Sequence, residues 1–169
     1  SAEDKLLFLR ETEQEFSNLM SRYDLNQAET EEEFIDQLSA LTSQTDDELE
    51  SKRLDWTQRL ENVKLNQIQR GIFSSGIGAK DRMLEEEKKA LDLGSVERRA
   101  QEKQTGLERE KKYDLEQIRL ARQSAEQDRI RRIGTPEDVN AVREQARDTL
   151  GLGEGEQLGS ELDIYGARQ

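Results

Sequence analysis

Three runs of carboxylates are the residues best placed to do chemistry: Glu31-Glu32-Glu33, Asp46-Asp47-Glu48 and Glu85-Glu86-Glu87. Converging carboxylate oxygens hold divalent cations. Adjacent residues on a helix point in different directions, however, and none of the three runs has the alternating pattern of a calcium loop. Such runs ordinarily form a solvated helix face, and they are read as that here. The chain has no histidine and no cysteine. It therefore has no imidazole base, no thiol nucleophile, no His or Cys metal ligand and no disulfide. No catalytic, cofactor-binding or metal-ligating residue is assigned, and the expected role is not enzymatic.

The one basic patch is Arg129-Ile130-Arg131-Arg132, with Lys111-Lys112, Arg119 and Arg122 upstream. Such a patch suits nucleic acid or an acidic partner. It also suits the C-terminal end of a helix, where cations oppose the dipole, and it carries no aromatic platform for stacking bases. The whole chain has a formal net charge of −12. Phosphate binding requires clustered Lys and Arg, so nucleic acid is disfavoured as a partner.

These groups sit on a chain that cannot close a large core. Of its 169 residues, 32% are hydrophobic and 38% charged, against about 45–50% and about 25% in ordinary soluble domains. No apolar run approaches the ~20 residues of a membrane span. The run Leu6-Leu7-Phe8-Leu9 is too short for a signal-peptide core and follows Glu3 and Asp4.

Glycine and proline divide the rest. Residues 26–70 contain neither; Gly71, Gly76 and Gly78 cluster; Gly134-Thr135-Pro136 is the next break; five glycines follow Leu150. The segment 2–70 is rich in Glu, Gln, Leu, Lys and Arg and reads as helix. Leu9, Phe16 and Tyr23 are seven apart with Leu19 on the same face, a heptad-like stripe. Asp24-Leu25-Asn26 offers capping side chains; the helix either breaks there or runs through, and a break is slightly favoured. Beyond it the period changes. Leu38, Leu49 and Leu60 are eleven apart, Phe34 and Trp56 twenty-two. An eleven-residue repeat gives about 3.67 residues per turn and a nearly straight coil. Thr45, Lys52 and Gln67 make this seam polar in places. Trp56 falls on it and is expected to serve packing more than anchoring.

Residues 79–133 also read as helix. Leu84, Lys88 and Leu91 follow a 4-3 spacing, and Val96, Leu107 and Ile118 are eleven apart. Gly94 and Gly106 each cost about 1 kcal/mol in a helix interior; they reflect weak selection on a solvated face or close approach by another helix. Between the two helices, Gly71 suits the left-handed position after a helix end. Ser74 and Ser75 are candidate caps for the next helix, with Gly78 as the alternative loop end. Thr135-Pro136-Glu137-Asp138 is a helix start, with Thr as cap, Pro in the first turn and acids behind it. A weakly amphipathic helix through Val139, Val142, Ala146 and Leu150 should end at Gly151.

The expected fold is therefore all-α. It comprises an N-terminal helix over 1–25, a long antiparallel, coiled-coil-like helical hairpin over 26–133 with its turn at 71–78, a short helix over 134–150, and an extended Gly-rich tail over 151–169. Helices joined by so short a loop fold back as neighbours, with arms of roughly 65–80 Å at 1.5 Å per residue. Residues 1–70 carry a net charge of −9, residues 71–133 of +2 and residues 134–169 of −5, so the two arms attract. Narrow seams on thin helices call for company. The expected partner-binding residues are Phe16, Tyr23, Phe34, Trp56, Ile72, Phe73, Ile77, Ile164 and Tyr165, the last two as a short apolar hook in the tail. A homo-oligomer is expected.

The stretch Gln69-Arg70-Gly71-Ile72-Phe73-Ser74-Ser75-Gly76, set between long helices rich in Arg, Glu and Gln, resembles turns of bacteriophage virion proteins. The resemblance covers about residues 50–133 and is compositional as much as motif-based. It implies a structural component of a tail, a neck or an internal virion assembly, located in the virion, with other copies and other virion structural proteins as partners. It implies no catalytic residue and no cofactor. Phage scaffolding proteins are likewise acidic and helical, but typically finish on a basic helix-turn-helix where this chain is acidic and Gly-rich. A phage scaffolding protein, an ejected, nucleic-acid-associated internal protein and a cellular coiled-coil adaptor are the alternatives.

Overall fold

A computed structural model describes residues 2–151 of the chain, and every described element is a helix. Helix α1 spans Ala2–Gln69 (68 residues), α2 spans Gly76–Ile133 (58 residues) and α3 spans Pro136–Leu150 (15 residues). The expected tail beyond Gly151, with Ile164 and Tyr165, lies outside the described residues. No described helix is long and apolar enough to cross a membrane.

Helix α1 does not break at Asp24–Asn26, contrary to the expectation from its capping residues. A cap requires the Asp side chain to bend back onto its own backbone. The Asp24 carboxylate is instead taken by the Arg122 guanidinium, which also reaches Gln27 Oε1 at 3.2 Å. With no glycine or proline nearby, nothing stops the helix. Segment 1–25 is thus not a separate helix. By its internal contacts the chain forms two compact units, Ser1–Glu29 with Asp114–Gln169, and Thr30–Tyr113. The first boundary falls four residues after the expected one, and the second runs through α2, where no glycine or proline marks it.

In the unit Thr30–Tyr113 the contacts between α1 and α2 move away from the turn along both segments together. Gln67 meets Gly78, Arg59 meets Glu85, Lys52 meets Asp92, Glu48 meets Arg99, and Phe34 meets Lys111. The buried and half-buried positions follow the eleven-residue repeat. On α1 they include Phe34, Thr45, Trp56 and Gln67, with Leu38, Leu49 and Leu60 and with Leu41, Lys52 and Val63. On α2 they include Gly78, Lys89, Ala100 and Lys111, with Glu85, Val96 and Leu107. Val96 and Leu49 are the best-buried aliphatic residues of this unit. The 4-3 stripe through Leu84 and Leu91 is not part of the seam; both are exposed. Counting back from Val96 by eleven leads to Glu85, not Leu84.

The turn is shorter than expected, because α2 already begins at Gly76. Helix α1 ends in a Schellman motif: Ile72 N–H donates to Gln67 O at 3.0 Å and Gly71 N–H to Ile68 O at 3.1 Å, with Gly71 at φ 71°. Of the candidate caps, Ser75 does the work. Its Oγ accepts from Gly78 N–H at 3.0 Å and donates to Ile72 O at 2.5 Å. Gly78 is required by contact, since a Cβ there would lie 2.2 Å from Ile72 O.

The unit Ser1–Glu29 with Asp114–Gln169 adds α3 to segments of α1 and α2. Leu6, Leu9, Val139 and Ala146 are buried in it. Gly134, at φ 90°, ends α2, and Thr135 caps α3 as expected. Thr135 Oγ1 accepts from Asp138 N–H at 3.3 Å while Asp138 Oδ2 accepts from Thr135 N–H at 3.0 Å, a reciprocal capping box. Gly151 closes α3 in the left-handed conformation.

Candidate interaction surface

Four of the expected partner-binding aromatics lie on the seam side of α1. In the unit Thr30–Tyr113, Trp56 is 8% exposed and its indole N–H donates to Asp92 Oδ2 at 2.8 Å. The same carboxylate accepts from Lys52 Nζ at 2.9 Å through its other oxygen. The Trp56 hydrogen bond, followed by the Lys52 contact, holds the Asp92 carboxyl below its ordinary value. The Arg59 guanidinium stands 4.7 Å from the Trp56 ring. Phe34 is half-buried, with Lys111 Nζ 4.5 Å from its ring. In the other unit, Phe16 and Tyr23 are half-buried and Arg129 lies 4.6 Å from the Phe16 ring. These side chains are engaged within their own chain.

The cations on those rings were not assigned from the sequence. Each follows from the seam: Lys111 and Arg129 occupy α2 positions facing phenylalanines, where a long aliphatic stem packs and the charge caps the ring. Glu85 behaves similarly. Partial burial pushes its carboxyl up, but Lys88 and Arg59 outweigh this and hold it below the ordinary value.

Ile72, Phe73 and Ile77 come together at the turn of the unit Thr30–Tyr113. Ile72 and Phe73 are half-buried and Ile77 is 69% exposed. Beneath them Gln67, only 3% exposed, uses both ends of its amide. Its Nε2 donates to Gly78 O at 3.0 Å and its Oε1 accepts from Arg82 at 2.7 Å. The same Arg82 nitrogen donates to Phe73 O at 2.8 Å, and the guanidinium lies 4.3 Å from the Phe73 ring. A polar residue on an apolar stripe thus fixes the turn to both helices. An open groove of about 660 Å³ runs beside it, lined by Asn62, Asn66, Arg70, Asp81 and Lys88 among others.

A second set of apolar residues faces away from the seam. Leu54, Leu65, Leu91 and Tyr113 each sit two residues from seam positions on either side, which turns them to the opposite face of the helix. Leu54 is 65% exposed and Leu91 74%. Leu54 and Leu65 are eleven apart, and Leu91 and Tyr113 twenty-two, with Glu102 midway between the latter two. That spacing was visible in the sequence. Among the described residues nothing lies within 4 Å of where a Cβ would stand at Gly94 or Gly106, so no close approach by those residues explains them.

The carboxylate runs do not converge: among the described residues no group of three or more His, Cys, Asp or Glu could hold a metal ion. The basic patch is largely occupied by acids of its own unit. Arg129 pairs with Glu13 and Glu126, Arg132 with Glu15, and Arg122 with Asp24. Glu13 also pairs with Arg143 of α3. Comparison with protein-family models, with curated proteins and with solved structures gave no match.

Proposed function

We propose that this chain is a structural element of a multi-copy assembly. Its two long helices pair as an antiparallel, coiled-coil-like hairpin, and copies pack through the faces that this pairing leaves open. The observation that carries the reading is the exposure of Leu54, Leu65, Leu91 and Tyr113 on the faces turned away from the seam of the unit Thr30–Tyr113. Isolated exposed leucines need no explanation, but several large apolar residues on the same outer faces suit packing against another chain. Helices with few apolar residues gain most of their stability from such packing. Closed cyclic oligomers are the usual result.

The setting we propose is a bacteriophage virion, in a tail, neck or internal position. The turn sequence and the helix composition support it. Co-purification tests it. The chain should fractionate with particle proteins of a phage and be absent from the uninfected host; recovery only with host cytoskeletal or adaptor proteins would favour a cellular coiled coil instead. The nucleic-acid alternative is weakened by the pairing of Arg122, Arg129 and Arg132 with carboxylates, since a cation already paired releases fewer counterions from phosphate.

A further inference from the structure

The end of the unit Thr30–Tyr113 that carries the turn has an unusual balance of charge. From Lys64 to Arg82 the chain holds Lys64, Arg70, Lys80 and Arg82 against a single acid, Asp81, a net charge of +3 in a protein of −12. Among the described residues none of these four cations forms an ion pair. Arg82 is held by neutral acceptors, Gln67 Oε1 and Phe73 O. Lys64 stands 5.8 Å from the Phe73 ring, which also carries Arg82 on its face. Exposed Leu65, Ile68 and Ile77 lie among them. The surface is therefore apolar, cationic and short of counter-charges.

One segment of the same chain has the inverse composition. Residues 152–169 carry Glu154, Glu156, Glu161 and Asp163 against Arg168, a net charge of −3. Within them Leu158, Leu162, Ile164 and Tyr165 alternate with the acids. Gly153, Gly155, Gly159 and Gly166 are interspersed with these residues. We propose that the turn end of one copy is the docking surface for the acidic, apolar segment Glu154–Tyr165 of a second copy. Carboxylates of the segment neutralise Lys64, Arg70 and Lys80, and its leucines, Ile164 and Tyr165 cover Ile68 and Ile77. Because the two surfaces differ, the contact is heterologous, the type that generates rings or filaments. The proposal rests on the assembly reading and adds to its outer-face packing a second contact between copies, at the turn.

Charge reversal tests it on the full-length chain. One variant carries Arg70→Glu and Lys80→Glu; the other carries Glu161→Lys and Asp163→Lys. Arg70 and Lys80 are exposed, and circular dichroism checks that each variant keeps its helix content. Each variant alone should self-associate at least about tenfold more weakly than the parent, because like charges now face each other. An equimolar mixture should recover association, since each reversed surface finds its complement. Recovery should fade as salt screens the contact. A parent that associates while neither reversal alters it overturns this contact and leaves the assembly reading standing. A parent that stays a single protomer at every concentration removes both. If reversal at the turn abolishes binding to phosphatidylserine vesicles and leaves self-association unchanged, the surface belongs to lipid, and the proposal is wrong. An effect of reversal that is independent of concentration, and so confined within one copy, also overturns it.

Discussion

Trp56 and Asp92 are joined by a 2.8 Å hydrogen bond from the indole N–H to Oδ2, across the two helical segments of the unit Thr30–Tyr113. Trp56 is the chain's one tryptophan, so this bond reports on the pairing of α1 with α2 without any label. It occurs where the eleven-residue repeat brings a large side chain to the seam and where Asp92 also binds Lys52. An indole that is otherwise buried requires such an acceptor.

Asp92 is held below its ordinary carboxylate value, first by Trp56 and then by Lys52. A group whose value is lower in the folded chain stabilises it above the unfolded value and loses that contribution as pH falls through the folded one. Trp56 emission should therefore stay constant from neutral pH down past the ordinary Asp value of 3.8, and shift to the red only in stronger acid. Asp92→Ala should show the red-shifted emission at neutral pH and a lower thermal midpoint. An unchanged spectrum in the variant would contradict the assigned bond.

Gly78 and Gly76 stand two residues apart and should respond in opposite ways to alanine. At Gly78 a Cβ meets the backbone of Ile72 at 2.2 Å, whereas at Gly76 it meets nothing. Gly78→Ala should destabilise by about 1–3 kcal/mol, as overpacking of a fixed neighbour does. Gly76→Ala should be neutral or stabilising by up to about 1 kcal/mol. Denaturant midpoints compared at constant m-value decide it.

Thr12 is buried, and among the described residues its hydroxyl has no hydrogen-bond partner. A buried polar group without a hydrogen bond costs about 1–3 kcal/mol. Thr12→Val removes the hydroxyl and keeps the shape, so it should raise stability by about 1 kcal/mol or more. A loss of stability would show that the hydroxyl is satisfied in solution.

Much of the architecture was legible because helix signals are local. The Schellman end at Gly71, the cap at Thr135 and the repeat through Val96 and Leu107 all follow from spacing and side-chain chemistry. The uninterrupted helix through Asp24 was not legible. Its cap was forfeited to Arg122, a partner nearly a hundred positions away. Local preference gave way to a tertiary contact. Gln67 was visible as a polar flaw in a stripe, yet its role depends on Arg82 and Gly78 meeting it. Leu54 was passed over, and Leu84 and Leu91 read as a stripe because spacing alone does not give its phase. Counted from Val96, the seam falls at Glu85 and Lys89, not at Leu84 and Leu91.

Gly94 and Gly106 separate the folded chain from its assembly. Both sit in helix with open space around them, so alanine at either should stabilise the isolated chain by up to about 1 kcal/mol. If copies pack closely over the outer face of α2, the same substitutions should weaken self-association. Thermal midpoints at high dilution and mass at high concentration read the two effects independently.

The most direct test of the assembly role is the mass of the full-length chain by sedimentation over a wide concentration range. The account predicts a defined multiple of 19.5 kDa, and reversion to single protomers in Leu54→Asp and Leu91→Asp variants that keep their helix content. A parent chain that remains one protomer at every concentration, and melts in a single cooperative transition, would contradict it.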